Sequence, residues 1–525
     1  NDLVKLVTHA RSAEDGVHML RHLRAAKGLI CFCSGDAGSF TRVLAPIFGS
    51  VLKLRKARLL PAVLLISTLG TYSLQNSIFD LWVMLIFGVV GWLMGVYDPS
   101  NYGSLIGRYI GLMSSETLVA VPLFVFMGVM LERSGIAQRL LLTMGKLFGN
   151  MRGGLAISVV IVGAMLAAST GVVGATVVTM GLISLPAMMR AGYKPTLATG
   201  VICASGTLGQ IIPPSTVLIF MGDMLSGINA QVQMAKGNFA PTPVSVGDLF
   251  AGAMLPGVML VLLYIGWVIF KAITDPESCP ATPVPPEEKA HLKREILTAL
   301  LPPLLLILAV LGSILGGIAT PTEAASVGAV GATLLAAFRW KLSWKILHET
   351  AVQTATITSM VFIILFGAAV FSVVFRMMGG DALVHEFLTG LPGGPLMAVA
   401  VVMAIMFVLG FILDTFEIIF IVIPITAPIL LGMDISPVWL GVMVGVNLQT
   451  SFLTPPFGFA LFYLRSISPA KAWNDVVTGK FIEGIRTTEI YKGALPFIVI
   501  QFLAIMIVIF YPRLVTHYKD DEKPM

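Results

Sequence analysis

The chain has 525 residues, of which 56% are apolar and 12% charged, with a mean hydropathy of +0.90 and a formal net charge of +6. Those figures exclude a soluble globular protein, and apolar stretches long enough to span a bilayer, about 20 residues, recur along it. The basic excess is scattered among the connections, as on the cytoplasmic loops of membrane proteins, and forms no nucleic-acid-binding patch.

In chain order, residues 1–50 are polar, with short apolar patches and no signal-peptide pattern. Apolar segments follow at 59–95, 110–130, 153–190, 197–224, 249–272, 296–319, 324–338, 351–378, 396–431, 438–465 and 494–511. Segments 153–190 and 396–431 are too long for one crossing and read as helix pairs. The run Thr274–Glu288, rich in proline and charge and followed by Lys289, Lys293 and Arg294, is a linker whose basic end belongs in the cytoplasm. Cys31, Cys33, Cys203 and Cys279 lack the spacing of a disulfide framework, and the seven histidines lack that of a metal-enzyme site.

Two stretches interrupt their apolar runs alike: Gln210-Ile-Ile-Pro-Pro-Ser215 and Phe452-Leu-Thr-Pro-Pro-Phe-Gly458. Pro186, Pro195, Pro213 and Pro214 return as Pro428, Pro437, Pro455 and Pro456, each displaced by 242 positions. Asp248, Phe250 and Gly252 are echoed by Glu489, Tyr491 and Gly493, displaced by 241. A chain that repeats its helix breaks at bilayer depth reads as a secondary transporter of two related halves.

Counting crossings outward from the linker puts Arg339, Lys341 and Lys345 inside, the uncharged-by-cation loop 432–437 outside, and Arg465 to Lys492 inside. Counting backward puts Arg190 and Lys194 inside, so equivalent loops of the two halves lie on opposite membrane faces, an inverted-topology repeat. The count fits less well at Arg513, Lys519 and Lys523, which it leaves outside, and it does not resolve the first 150 residues, where Arg133, Arg139, Lys146 and Arg152 require a cytoplasmic loop at 131–152.

Paired prolines remove two N–H donors and free carbonyls one turn earlier, and such backbone persists at membrane depth only where it lines protein or a wet cavity. Ser205, Gly206, Pro213, Pro214 and Ser215 at the first break thus offer oxygens of the kind hard cations such as Na⁺ prefer, as do Asn447, Thr450, Thr454, Pro455 and Pro456 at the second. The N-termini of the resumed half-helices suit an anionic solute. A packing kink is the plainer alternative for either break. The turns of the helix pairs are further candidates: Ser169, Thr170 and Gly171 in the first, where ordinary small-residue packing competes, and Asp414 and Thr415 in the second. Asp414 and Glu417 are costly within an apolar hairpin unless functional, or unless the tip reaches the headgroups. Glu116 reads as an inter-helix hydrogen-bond partner, and Glu323, after Pro321, as a helix-capping acid.

From about Leu105 to Lys519 the sequence resembles the large membrane subunit of tripartite ATP-independent periplasmic (TRAP) transporters. The resemblance is carried by Val121-Pro-Leu-Phe-Val-Phe-Met-Gly128, Ser169-Thr-Gly171, Gly209-Gln-Ile-Ile-Pro-Pro-Ser215, Ala319-Thr-Pro-Thr-Glu-Ala-Ala325, Leu413-Asp-Thr415 and Leu453-Thr-Pro-Pro-Phe-Gly458. It implies an all-α polytopic, elevator-type transporter of the bacterial inner membrane, with two hairpins and two broken helices. It also implies Na⁺ as coupling ion without other cofactors, an organic acid (carboxylate) as solute, and two partners: a small four-helix membrane subunit and a periplasmic solute-binding protein. Residues 51–95 resemble instead the large subunit of tripartite tricarboxylate transporters. Residues 1–50 resemble the end of a type I 3-dehydroquinate dehydratase barrel, an incomplete α/β fragment. There Lys5 matches the family's Schiff-base lysine and Arg42 its carboxylate-binding arginine, while the preceding strands and the partner histidine are missing. The expected organisation is therefore a dehydratase-like piece (1–50), a borrowed apolar segment (51–95), repeat 1 (96–272), linker (273–295) and repeat 2 (296–525). The rival readings are an antiporter independent of a binding protein, with Asp414 and Glu417 carrying protons, an enzyme–transporter fusion, and a composite chain without function.

Overall fold

The computed structural model describes residues 5–9, 30–34, 102–171, 173–474 and 481–518. The remaining residues, including Arg42 and all of 51–95, lie outside it. The chain divides into two compact units, 1–113 with 359–386, and 114–358 with 387–525.

In the first unit, strands β1 (Lys5–His9) and β2 (Ile30–Ser34) pair in parallel, with Lys5 opposite Ile30. This is the pairing an α/β fragment requires. The unit also holds α1 (Tyr102–Met113), the later part of the long helix α12 (Trp344–Met377) and the start of α13 (Gly380–Thr389). Tyr109 of α1 and Phe366 of α12 meet edge to face, with ring centroids 5.1 Å apart.

The second unit is almost entirely helical. Its first half runs α2 (Ala120–Arg133), α3 (Ile136–Phe148), α4 (Gly154–Thr170), α5 (Val173–Arg190), α6 (Pro195–Thr207), a 3₁₀ turn (Leu208–Gln210), α7 (Thr216–Ala235) and α8 (Val246–Thr274). The linker carries a 3₁₀ turn (Pro276–Ser278) and α9 (Pro286–Glu295), which continues through a π turn (Ile296–Leu300) into α10 (Leu301–Leu315) and is followed by α11 (Pro321–Phe338). After α13 come α14 (Gly394–Leu409), the short α15 (Thr415–Glu417), a π turn (Ile418–Val422), α16 (Ile423–Gly432), α17 (Pro437–Leu453), α18 (Phe459–Ile467), a two-residue antiparallel pair β3/β4 (Trp473–Asn474, Phe481–Ile482), α19 (Thr487–Phe510) and α20 (Arg513–Thr516). Among the described residues, six helices are long and apolar enough to cross a bilayer, and α2 with α3 forms one further pair bent by 62°. The chain is a multi-span helical membrane protein.

Both long segments are helix pairs: α4 turns into α5 at Gly171, and α14 turns into α15–α16 at residues 410–414. Both proline motifs interrupt helices, α6 from α7 and α17 from α18. Two expectations need correction. Segment 110–130 is not one helix, because Ser114-Ser-Glu-Thr-Leu-Val119 separates α1 from α2. Nor is 131–152 a loop: α3 is amphipathic, burying Leu140, Leu141 and Met144 while leaving Arg139 exposed, so its charges reflect a helix face rather than a connection.

The two halves exchange contacts in register. Gly493 of α19 lies against Thr196 and Gly200 of α6, main chain on main chain, and Gly252 of α8 lies against Val438 of α17. Thr196 and Val438 are 242 residues apart, and Gly252 and Gly493 are 241 apart, so the contacts are equivalents that each join one half to the other. Without a side chain at the crossing the helices approach closely, which drives helix association in lipid. The hairpins exchange likewise. The return arm α5 of the first lies on α18, with Gly174 against the Tyr463 ring and Gly181 against Leu464 and Ile467. The return arm of the second lies on α7, where Phe220 meets Phe416 and Phe420 edge to face at 5.6 and 5.0 Å. The helix starts correspond in part: α8 opens on a capping box of Ser245 and Asp248, and at the start of α19 Glu489 likewise accepts the main-chain N–H of Arg486, at 2.8 Å.

Candidate functional site

Paired prolines dictate the first break. The α6 main chain tightens into the 3₁₀ turn, and Pro213 and Pro214 offer no N–H to continue it. Ser215 closes the gap by donating its hydroxyl to the Gln210 carbonyl, 3.1 Å away. This segment is wholly buried apart from a partly exposed Ile212.

Both hairpin tips converge on it. The Thr216 hydroxyl, at the first residue of α7, donates to the Gly171 carbonyl at 3.0 Å. Gly171 has φ +63°, and a Cβ there would sit 2.5 Å from Thr216 Oγ1 and 2.9 Å from its nitrogen, so only glycine allows the approach. From the other hairpin, the Thr415 hydroxyl accepts Gln210 Nε2 at 2.7 Å. Gln210 is 1% exposed, and its Oε1 has no hydrogen-bond partner among the described residues. A buried acceptor left unmet in this way costs on the order of 1–3 kcal/mol.

The second hairpin also reaches the second break. Phe411 and Phe457 lie 6.3 Å apart, and Gly410 packs on Ser451, whose hydroxyl donates to the Phe407 carbonyl at 2.7 Å. Here the Thr454 hydroxyl donates to the Thr450 carbonyl (2.8 Å), the Thr450 hydroxyl to that of Val446 (2.9 Å), and Tyr491 Oη to that of Pro456 (3.2 Å). Pro456 is exposed and Pro455 partly so, which makes this break the more open of the two. The breaks are neighbours: Gly445 of α17 packs on Ile211, 3.4 Å from where its Cβ would lie.

Several candidates thus meet around one place: Gly171, Pro213, Pro214, Ser215, Asp414 and Thr415. Others are occupied by packing. The Ser205 hydroxyl turns back to Ile202 O (3.1 Å) while its Cβ faces Gly163 of α4, Gly206 lies against Val177, and Asn447 Nδ2 holds the Met403 carbonyl (2.9 Å). Ser169 and Thr170 end α4, and their side chains lie outside the described residues. Asp414 is the N-cap of α15 and forms a reciprocal capping box with Glu417, whose Oε2 accepts the Asp414 main-chain N–H at 3.0 Å. That settles how two acids stand in an apolar hairpin: each satisfies the other's amide. Glu323 caps α11 in the same way with Thr320, as its position after a turn led one to expect. Glu116 is a hydrogen-bond partner of a distant helix through its main chain, whose carbonyl accepts the Thr322 hydroxyl of α11 at 2.8 Å.

Gln210, Tyr264 and Gln501 are polar groups at or beside the breaks that were not singled out from the sequence. Gln501 stands alone among apolar residues in segment 494–511, and a polar side chain so isolated was a usable signal. No group of three or more potential metal-ligating His, Cys, Asp or Glu side chains occurs among the described residues.

A polytopic helical bundle with two breaks and two hairpin tips meeting beside them is the architecture of a membrane carrier. The sequence profile of the tripartite ATP-independent periplasmic transporter, DctM component, matches residues 62–514, and the chain belongs to that family. The profile of type I 3-dehydroquinase matches residues 1–64. The segment 51–95, read from the sequence as similar to a tricarboxylate transporter, is instead divided between these two matches, its residues 62–95 lying within the TRAP match. Similar proteins include the C4-dicarboxylate TRAP transporter large permease protein DctM of Pseudomonas aeruginosa, 29% identical over 79% of this chain and 89% of its own. The ectoine/5-hydroxyectoine large permease UehC of Ruegeria pomeroyi is 26% identical over 84% and 95%, and the sialic acid permease SiaT of Haemophilus influenzae 24% over 85% and 68%. The fold is that of the Alcanivorax borkumensis YdaH transporter, matched with a TM-score of 0.56 at 13% identity over 83% of this chain and 98% of that one.

Proposed function

We propose that the chain is the translocating subunit of a Na⁺-coupled importer of a small carboxylate, operating as an inverted-repeat elevator in the bacterial inner membrane. The observation that carries this reading is the convergence of both hairpin tips on the first break, through Thr216 to Gly171 and Gln210 to Thr415. Main-chain and hydroxyl oxygens near Ser169, Gly206, Asp414 and Thr454 hold Na⁺, and the starts of α7 and α18 face the anionic solute with their N–H groups. Solute exchange then requires a hairpin tip to leave its break, while the hairpins, α6–α8 and α17–α19 move as one body, held by the exchanged contacts. A four-helix membrane subunit and a periplasmic binding protein complete the system, in keeping with a family defined as one component of three. Among the solutes for which relatives are named, C4-dicarboxylates and sialic acid support a carboxylate, while ectoine and isethionate widen the choice.

The antiporter reading draws no support from the site, because Asp414 and Glu417 are engaged in a helix cap. Enzymatic activity at Lys5 is not part of the proposal. Reconstitution in liposomes with candidate binding proteins tests it: uptake should require both a Na⁺ gradient and the binding protein. Uptake indifferent to either rejects it.

A further inference from the structure

Helix α11 closes on a Schellman motif: the Lys341 amide donates to the Ala336 carbonyl at 3.0 Å, and the Trp340 amide to that of Ala337 at 2.9 Å. Such a motif holds one residue in the left-handed region, and glycine usually fills it, because a side chain there is strained. Here the position belongs to Trp340, with φ +55°. A bulky residue seldom holds that backbone, and where one does the reason is to be sought in what its side chain meets. The ring does not pack into the chain, for Trp340 is 94% exposed. Phe338 and Trp344, 78% and 81% exposed, stand on either side of it in sequence. Upstream, Val327, Val330, Leu334 and Phe338 form one exposed apolar stripe at helical spacing, while Ala325, Gly328 and Ala332 are buried on the other side of α11, Gly328 against Met127 of α2.

The same helix end carries cations that the chain does not neutralise. Arg133, at the end of α2, is held by Gln353 at 2.8 and 3.0 Å and by Glu349 at 3.5 Å, and Lys345 reaches Glu349 at 4.0 Å. For Arg339 and Lys341 no hydrogen bond or ion pair of the side chain occurs among the described residues, and Nη2 of Arg339 is buried. A guanidinium with one nitrogen covered and none bonded lacks the anion that would satisfy it. Counting the crossings places this end inside, on the leaflet whose anionic headgroups attract Lys and Arg beside a span.

We propose that the end of α11 binds an anionic phospholipid of the inner leaflet, with its phosphate on Arg339 and Lys341 and an acyl chain along the stripe from Val327 to Phe338. The planar fork of arginine suits a phosphate, and Trp340 and Trp344 stand where tryptophan rings gather, at the level of the headgroups. The strained tryptophan at the helix end is then explained: its ring meets lipid rather than protein. This site is independent of the Na⁺ reading and needs only that the chain spans a bilayer.

The test is native mass spectrometry of the purified full chain in detergent, titrated with phosphatidylglycerol or with phosphatidylcholine of the same acyl chains. Wild type should hold phosphatidylglycerol the more tightly. Arg339→Gln should weaken that binding about fivefold and leave phosphatidylcholine unchanged. Lys345→Gln controls for diffuse attraction by surface charge, since Lys345 already shares Glu349, and it should change little. Should Arg339→Gln not survive purification, Trp340→Gly serves in its place: it relieves the left-handed backbone, so it should weaken phosphatidylglycerol binding without lowering the melting temperature in lipid-free detergent. No preference for phosphatidylglycerol in wild type, unchanged binding in Arg339→Gln or Trp340→Gly, or an equal loss in Lys345→Gln overturns the site. Glycerol 3-phosphate that displaces the lipid at equal concentration makes it a site for a soluble anion and overturns the lipid assignment.

Discussion

Thr415→Val removes the hydroxyl that accepts Gln210 Nε2 with almost no change of volume. In the closed arrangement Gln210 would then have both ends of its carboxamide buried without partners among the described residues, since its Oε1 already has none there. Losing the acceptor costs about 1–3 kcal/mol, and this falls on the state in which the second hairpin tip rests against the first break. With 1.4 kcal/mol per factor of ten, the tip should leave the break about 5- to 150-fold more often. Hydrogen exchange of the 410–418 amides in the full chain reports that opening directly, and uptake in liposomes should need correspondingly more Na⁺. Gln210→Met in the same background removes the orphaned amide, so the double variant should recover most of what Thr415→Val loses. If the two substitutions add independently, or exchange at 410–418 is unchanged in Thr415→Val, this bond does not hold the hairpin shut.

Gly171→Ala should abolish uptake while leaving the chain folded: the left-handed φ costs an alanine about 1–2 kcal/mol, and its methyl would meet Thr216 Oγ1, so the first tip cannot seat, as loss of Na⁺-dependent protection at 168–176 would reveal. Gly493→Ala should instead lower thermal stability, because its methyl meets the Thr196 carbonyl with no flexible side chain to yield; a melting temperature equal to wild type counts against the exchanged crossing. Hydrogen bonds from the Thr320 amide and hydroxyl hold the Glu323 carboxylate below its usual range. Its folded value is the lower one, so its stabilisation of the start of α11 is complete above the ordinary value of about 4.3 and lost as pH falls through the lowered one. Thermal unfolding followed from about pH 6 to about pH 3 should lose part of its acid dependence in Glu323→Gln, and an unchanged profile refutes the cap's role.

Much of this architecture was legible because prolines and apolar run lengths are local signals. The offset of 242 between proline pairs reappears as equivalent contacts, Thr196 with Gly493 and Val438 with Gly252. The site was less legible. Hydroxyls such as those of Thr450 and Thr454 looked free in sequence, yet bond to carbonyls within their own segment, a local option open to any Ser or Thr. The roles of Tyr264 and of Gln210, quoted only as part of its proline motif, were not legible for the opposite reason, since their side-chain partners Gln449, Gln501 and Thr415 lie more than 180 residues away and nothing nearby announces them. The turn at 114–119 was missed through reading hydropathy past Ser114, Ser115, Glu116 and Thr117, a cluster that breaks helices.

The exchanged hairpin arms constrain how the molecule can be made. When the ribosome has delivered α4–α8, the surface of α5 meant for α18 and that of α7 meant for α16 face lipid or other protein, because their covers are not yet synthesised. Neither half can complete itself, so cutting the chain within the linker should yield two inserted but unfinished pieces that become resistant to protease only when made together.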